Sequence, residues 1–526
     1  MPTGGEALVA GLRELGVEVA FGLPGVHNLA AWKGFPDSGV RLVGVRHEQT
    51  AGYAADGYAR ATGRLGVALT TSGPGAANIV TAVGEAWACH SPLLVIATDI
   101  PRTLRRPGDY RGVLHETTDQ ASFFRPVTKA QMRVETVDEL CGKVVSAGSQ
   151  AMELPRRPVY LEIPTDLLSA VTEGLHSYRG TGVSGASVLD ALQLLMSCAR
   201  PLLWAGGGAT ASDAGPLVRA LAERLGAPVL TSYGGRGLLP PDHPHLIPLP
   251  PQVKPAGDLW DAADCVVVLG SDLDAMNTQG FRQPRPPVVI TVDVAARLAN
   301  VEPDAHIRCD VSVAVQALLD GLPEQRREPW FTRPPGRELE AGPETAFLDA
   351  LESGLPADVI VVADMCIAGY WYGGFGRVQR PRGLAYPVGW GTLGFGFPAG
   401  IGAALSGRPA VALVGDGGFL FACGDLATVA QEGIALTTVL VDDGGYGMLA
   451  YDFEKDGDKP LGCDLEPPDF VALAKAFRVD AREVTVEDLG SAVAEAIASG
   501  RPSLLVVKAA FTPPPNASPR WYRAQS

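Results

Sequence analysis

Short β-branched runs bounded by Gly, Pro or Asp alternate with Ala/Leu-rich stretches along the whole 526-residue chain. The runs fall in three groups: 66–71, 93–98 and 159–163; 202–205, 229–231, 265–270 and 288–292; 359–363, 410–414, 437–441 and 503–507. A strand with one wet face alternates polar and apolar residues, whereas continuous apolar runs fit strands covered on both faces. The helical stretches between them then serve as parallel crossovers. The pattern predicts an α/β chain of three doubly wound parallel-sheet domains.

Two segments lose the periodicity, 173–187 and 323–343, and both read as solvated linkers. They divide the chain into sections of 1–175, 185–325 and 340–526. A formal charge of −15 repels phosphate backbones and anionic lipid, so neither nucleic acid nor a membrane surface is an expected partner. The first 25 residues lack a basic n-region and carry Glu6, Glu14 and Glu18, and no apolar run reaches the length of a membrane span. The eight cysteines are scattered without a CxxC pair, as free buried thiols are; a cytoplasmic protein is expected.

The most informative segment is 410–449. A strand runs into Gly415-Asp416-Gly417-Gly418, a helical stretch follows near 425–431, and a second strand ends in Asp442-Asp443-Gly444-Gly445. In a right-handed βαβ unit both strand ends lie on one carboxyl edge, which brings Asp416 and Asp443 together. Either Asp-Gly pair alone is an ordinary turn; two on one edge are a candidate site. Paired hard oxygens favour Mg²⁺ or Ca²⁺, and Mg²⁺ shares its shell with phosphates. The glycines and the helix N-terminus suit an anion. The GDG and the acidic pair two dozen residues on resemble the diphosphate and metal motif of thiamine-diphosphate enzymes, in particular the acetolactate synthase and 2-oxoacid decarboxylase superfamily. The resemblance implies thiamine diphosphate and Mg²⁺ as cofactors, with Asp416, Asp443 and the Gly445 carbonyl as metal ligands and Gly415, Gly417, Gly418, Tyr446, Gly447 and Met448 around the cofactor. The family usually has Asn-Asn where this chain has Asp442-Asp443.

A second signal lies in the first section, where a strand at 42–45 meets Arg46-His47-Glu48 and a helical run at 49–61. Taken alone, Glu48 is a first-turn glutamate that complements the helix dipole. The RHE-x-x-A-x-x-A-A-x-G-Y-A-R spacing is similar to the glutamate segment of the same superfamily, which implies that Glu48 hydrogen-bonds the aminopyrimidine and promotes loss of the thiazolium proton. Ser72-Gly73-Pro74-Gly75-Ala76-Ala77-Asn78 resembles the family's Gly-rich turn and implies Gly73, Pro74 and Asn78 as cofactor neighbours. His27, in the loop Phe21 to Asn28, and His115, ahead of Asp119-Gln120, align with active-site segments of relatives; an imidazole there can shuttle protons or polarise a carbonyl. Gly389-Trp390-Gly391-Thr392-Leu393-Gly394 is similar to the stretch whose bulky residue, here Leu393, wedges the cofactor rings, with the Gly391 carbonyl accepting from the aminopyrimidine. Ile367 and Ala368 stand where acetolactate synthases carry a Gln-His pair. Tyr446, Met448, Leu449 and Tyr451 are expected at the substrate pocket.

The resemblance covers nearly the whole chain, as pyrimidine-binding, central and diphosphate-binding domains. In the central section Gly206-Gly207-Gly208 resembles the family's middle domain, but Gly270-Ser271-Asp272-Leu273-Asp274 lacks the acetolactate-synthase arginine, so FAD is not expected. The implied enzyme is a homodimer or homotetramer with its sites between subunits. It is acetolactate-synthase-like: it decarboxylates a 2-oxo acid and releases an aldehyde or forms a hydroxy ketone. The alternatives are a carbon–carbon lyase of the benzaldehyde lyase or 2-hydroxyacyl-CoA lyase kind, a guanidino-oxopentanoate-type decarboxylase, and a degenerate, non-catalytic member.

Overall fold

The computed structural model describes residues 1–106, 108–172 and 188–515. Its strands are β1 (Val19–Gly22), β2 (Arg41–Gly44), β3 (Gly66–Thr70), β4 (Leu93–Asp99), β5 (Ala130–Arg133) and β6 (Val159–Pro164) in the first section. The central section holds β7 (Pro201–Ala205), β8 (Val229–Thr231), β9 (Cys265–Leu269), β10 (Val288–Asp293) and β11 (Ala305–Arg308). The third holds β12 (Ile360–Ala363), β13 (Leu384–Ala385), β14 (Ala410–Gly415), β15 (Leu436–Asp442), β16 (Asp480–Glu483) and β17 (Ser503–Lys508). They form three sheets, ordered β2-β1-β3-β4-β6-β5, β11-β10-β9-β7-β8 and β13-β12-β14-β15-β17-β16, with every named strand pair parallel. The first and third sheets share one topology. The chain is α/β with three parallel-sheet domains, as the runs predict.

The third sheet explains why its runs are apolar throughout. Val362, Ala412, Val414 and Leu440 face a core shared with the first section, together with Phe21, Tyr53 and Phe395. Val361, Val411, Leu413 and Val439 face a core shared with Trp204 and Trp260 of the central section. Alternate side chains thus enter different cores, and neither face is left to water. Against the first section, helix Glu48–Thr62 lies on helix Gly396–Ala404 at backbone contact: a Cβ on Gly57 would stand 2.0 Å from the Ala399 carbonyl oxygen, and one on Gly402 1.8 Å from that of Ala54. Only glycine permits that approach.

The segment 173–187 read as a linker lies outside the described residues. The other, 323–343, is not a solvated linker. It is a strap on the central section: the Arg327 guanidinium donates to the Cys198 carbonyl, Trp330 Nε1 to Pro201, and Arg333 to Leu246 and Pro241. Arg337 within it is only 4 % exposed. A planar five-donor fork satisfies main-chain carbonyls well, so an Arg- and Pro-rich stretch can be anchored without apolar periodicity. All eight cysteines are free. Among the described residues no helix is long and apolar enough to cross a membrane.

Candidate active site

Glu48 opens its helix, directly after His47, whose Nδ1 caps the Gln49 N–H. Glu48 is 6 % exposed; its Oε2 accepts from Asn78 Nδ2 at 3.0 Å, and Oε1 stands over Gly75. The corner is fastened from both sides to the third section of the same chain. The Arg46 N–H and the Thr50 hydroxyl donate to the two oxygens of Asp425, at 2.8 and 2.7 Å. Burial pushes that carboxyl group above its usual range, and the hydroxyls of Thr428 and Thr50 pull it back.

His27 and His115 meet beside this corner, ring centroids 5.3 Å apart and edge to face. Both reach Ser72 Oγ, His27 Nδ1 at 2.5 Å and His115 Nδ1 at 3.4 Å. His115 holds a left-handed φ of +63°, which sets its carbonyl against Gly73. Burial, with the neighbouring His115, lowers the His27 pKa and favours the neutral ring. Gln120, fully buried, fixes the turn: its Oε1 accepts the Gly73 N–H at 2.7 Å, while Nε2 donates to Thr98 O and Tyr160 Oη, both at 2.9 Å. Behind it Glu162 and Asp99 share Arg133, and Asp99 also binds Arg105. Pro74 begins the short helix Pro74–Asn78, so Gly73, Pro74 and Asn78 form one turn ending at Glu48.

The third section builds a separate pocket at the carboxyl edge of its sheet. Strands β14 and β15 pair with Gly415 opposite Val441, so the residues that follow, Asp416 and Asp443, leave neighbouring strands side by side. Asp416 is 1 % exposed; its Oδ1 accepts the Gly417 N–H at 2.7 Å, and its Oδ2 is buried without a hydrogen-bond partner. Burial, then the nearby Asp416, pushes Asp443 up to about 7. Burial also raises Asp416. No Lys, Arg or His forms an ion pair with either carboxyl group among the described residues.

A cavity of about 200 Å³ at this edge is lined by Gly391, Leu393, Gly415, Asp416, Gly417, Gly418, Asp443, Gly445, Tyr446, Gly447 and Met448. Leu449 lines it too, and so do Met365, Cys366, Ile367, Ala368 and Tyr370. The glycines are a cradle that larger residues would fill: a Cβ on Gly447 would come 2.5 Å from Asp443 Oδ2, and one on Gly417 2.7 Å from the Tyr446 ring. All lining residues lie in the third section. Glu48, His27 and His115 are not among them.

Sequence reasoning passed over Asp364, Asp425 and the Gln120 network. Asp364 follows β12, on the edge that carries Asp416, and the same strand-end rule would have found it. Its Oδ1 accepts the Met365 N–H at 2.8 Å and its Oδ2 the Gly396 N–H at 3.1 Å; complete burial pushes it up to about 6. The glycine run of the central section has a packing role: a Cβ on Gly206 would stand 2.2 Å from the Gly270 carbonyl oxygen.

Three family descriptions match in order: thiamine pyrophosphate enzyme, N-terminal TPP binding domain (residues 2–123), central domain (188–318) and C-terminal TPP binding domain (365–507). The chain is 37% identical over 510 residues to a probable 2-ketoarginine decarboxylase of Pseudomonas aeruginosa, covering 91% of this chain and 89% of that one. It is 31% identical over 517 residues to an acetolactate synthase of Mycobacterium avium, covering 90% and 82%. A solved thiamine diphosphate-dependent 4-hydroxybenzoylformate decarboxylase of Rhodococcus jostii superposes with a TM-score of 0.84 at 24% identity, over 97% of this chain and 100% of that one. With family descriptions matched in all three sections, the chain belongs to the thiamine pyrophosphate enzyme family, among the acetolactate synthases and 2-oxo acid decarboxylases.

Proposed function

We propose that the chain is a thiamine-diphosphate- and Mg²⁺-dependent enzyme that decarboxylates a 2-oxo acid and either releases the aldehyde or joins the acyl fragment to a second carbonyl. The observation that carries this reading is the pair Asp416 and Asp443: a buried and a half-buried carboxyl group with raised pKa values and no cationic partner among the described residues, one Asp416 oxygen left without a hydrogen bond, beside a glycine cradle. A divalent cation relieves their repulsion. Among the described residues no three His, Cys, Asp or Glu side chains cluster as a metal site. The cation would therefore take Asp416, Asp443, the Gly445 carbonyl and diphosphate oxygens, a hard-oxygen set that suits Mg²⁺.

Thiamine diphosphate, when bound, supplies a nucleophilic carbon and an electron sink. The residues do the rest. Glu48, oriented by Asn78, exchanges a proton at Oε1. Leu393 would give apolar support to the rings, and the glycine turn 415–418 would hold the diphosphate. Ser72 links His27 and His115 into a relay that can deliver a proton to the product or hold a substrate oxygen.

The Glu48 corner and the Asp416 pocket are built from different sections, and the pocket takes no lining from the first. We read the complete site as formed between two copies of the chain. Co-expressing Glu48→Gln with Asp416→Ala tests this: mixed dimers regain one intact site when the site is shared between subunits, and none when it lies within one chain.

The similarity to a probable 2-ketoarginine decarboxylase supports a second, narrower reading, a 2-oxo acid with a guanidino side chain. Carbon dioxide release from pyruvate and from 5-guanidino-2-oxopentanoate, beside cleavage of a 2-hydroxy ketone, separates decarboxylase from lyase and ranks the substrates. No turnover of any of them with thiamine diphosphate and Mg²⁺ overturns the enzyme reading.

A further inference from the structure

The stretch 386–396 supplies Gly391 and Leu393 to the diphosphate pocket, and a buried carboxyl group holds it at each end. Asp364 holds the far end: its Oδ1 accepts the Phe395 N–H at 3.4 Å and its Oδ2 that of Gly396 at 3.1 Å. The same group stands against the cradle, where a Cβ on Gly418 would come 3.1 Å from Oδ2. This anchor belongs to the third section.

The near end is held by the first section of the same chain. Glu85, fully buried on helix Val80–Ala88, accepts the Trp390 N–H through Oε2 at 2.9 Å. Its Oε1 pairs with Arg60 at 3.2 Å, and Arg60 in turn donates to the Tyr386 carbonyl at 3.0 Å. Asp56, also fully buried, completes the triad at 2.6 Å from Arg60. The turn sits tightly on the helix: a Cβ on Gly84 would stand 2.4 Å from the Trp390 ring, and one on Gly389 2.5 Å from the Ala88 Cβ. A buried ion triad carries a desolvation cost that apolar residues of the same volume would avoid, so it is a weak source of stability. What apolar residues could not do is pair the Trp390 N–H and the Tyr386 carbonyl at fixed points. Gly391, at a left-handed φ of +66°, follows the second of these points directly.

We propose that Glu85, bridged to Arg60, is a positioning residue for the cofactor rings: it fixes the turn that carries Gly391 and Leu393 without itself lining the pocket. The inference rests on the reading of that pocket as the thiamine diphosphate site. Because Asp364 separately fixes the end beside the cradle, Glu85 acts on the ring half of the site and not on the diphosphate half. The test is calorimetric titration of the full chain, freed of cofactor and supplied with Mg²⁺, using thiamine diphosphate and, separately, inorganic pyrophosphate. Glu85→Ala should weaken thiamine diphosphate binding by roughly 10-fold, the scale of one hydrogen bond to a charged group, and leave pyrophosphate binding unchanged. It should also alter the near-ultraviolet circular dichroism of the bound cofactor, which reports how its two rings are held. Glu85→Gln keeps the side chain's shape and one acceptor oxygen, so its loss should be smaller and in the same direction; it decides the matter alone should Glu85→Ala not fold. Equal losses for both ligands overturn the proposal, because a general loosening of the fold spares neither. Thiamine diphosphate binding and dichroism equal to the parent's overturn it as well. A parent chain that binds neither ligand overturns the cofactor reading and this inference with it.

Discussion

The first and third sections fold the same sheet, in the same strand order, and place opposite electrostatics at matching strand ends. At the end of the fourth strand the first section has Asp99, flanked by Arg105 and Arg133. The third has Asp443, flanked by another carboxyl group. At the end of the third strand stand Ser72 and Gly73, held by Gln120, against Asp416 with a free buried oxygen. One section neutralises its edge with its own side chains. The other leaves two carboxyl groups side by side with no cationic side chain paired to them among the described residues, the arrangement on which the proposed cation rests. Identical topology thus sets where chemistry can occur, and the local charge balance decides which.

Four substitutions sharpen or break this contrast. Glu48→Gln should lower turnover by about 10²–10⁴, the range for an acid–base group, with cofactor affinity much less affected. Full activity would remove Glu48 from proton exchange. Asp416→Ala should weaken Mg²⁺-thiamine diphosphate binding, measured by calorimetry, by at least about 100-fold, beyond the 10–100-fold typical of losing an outer partner of a metal site. Asp99→Asn leaves two arginines without their shared carboxylate and should cost about 3 kcal/mol in denaturant unfolding.

Asp443→Asn should act in the opposite direction. A carboxyl group raised to about 7 in the fold destabilises the metal-free protein once ionised; the cost starts near the ordinary Asp range, grows as pH rises and is complete above about 7. The substitution should therefore stabilise the metal-free protein on the order of 1 kcal/mol at pH 8 and by much less at pH 5. Equal effects at both pH values, or destabilisation at pH 8, would show that the two acids do not repel, and the contrast with Asp99 would fail.

The strands buried on both faces were readable because their runs are uniformly apolar. Five strands had no run: β1, a four-residue interior strand buried between β2 and β3 but too short to stand out, and the short edge strands β5, β11, β13 and β16, whose side chains are mixed or largely exposed, as in Asp480–Glu483. An edge strand needs only one paired side and half a buried face, so its composition resembles a loop. The 323–343 strap was misread for a related reason: its anchors are guanidinium-to-carbonyl bonds, which leave no periodicity.

By itself the sequence determined the sheet type, the three sections and the residues at the two strand-to-helix corners, because burial on two faces and carboxyl-edge geometry both follow from residue order. Only the tertiary structure showed that Asp425 fastens the Glu48 corner, that Asp364 lies on the edge that carries Asp416, and that Arg337 is buried with two nitrogens unpaired. Those facts depend on contacts between residues hundreds of positions apart, or on which donors find an acceptor once the chain has closed. Local patterns carry information about neither.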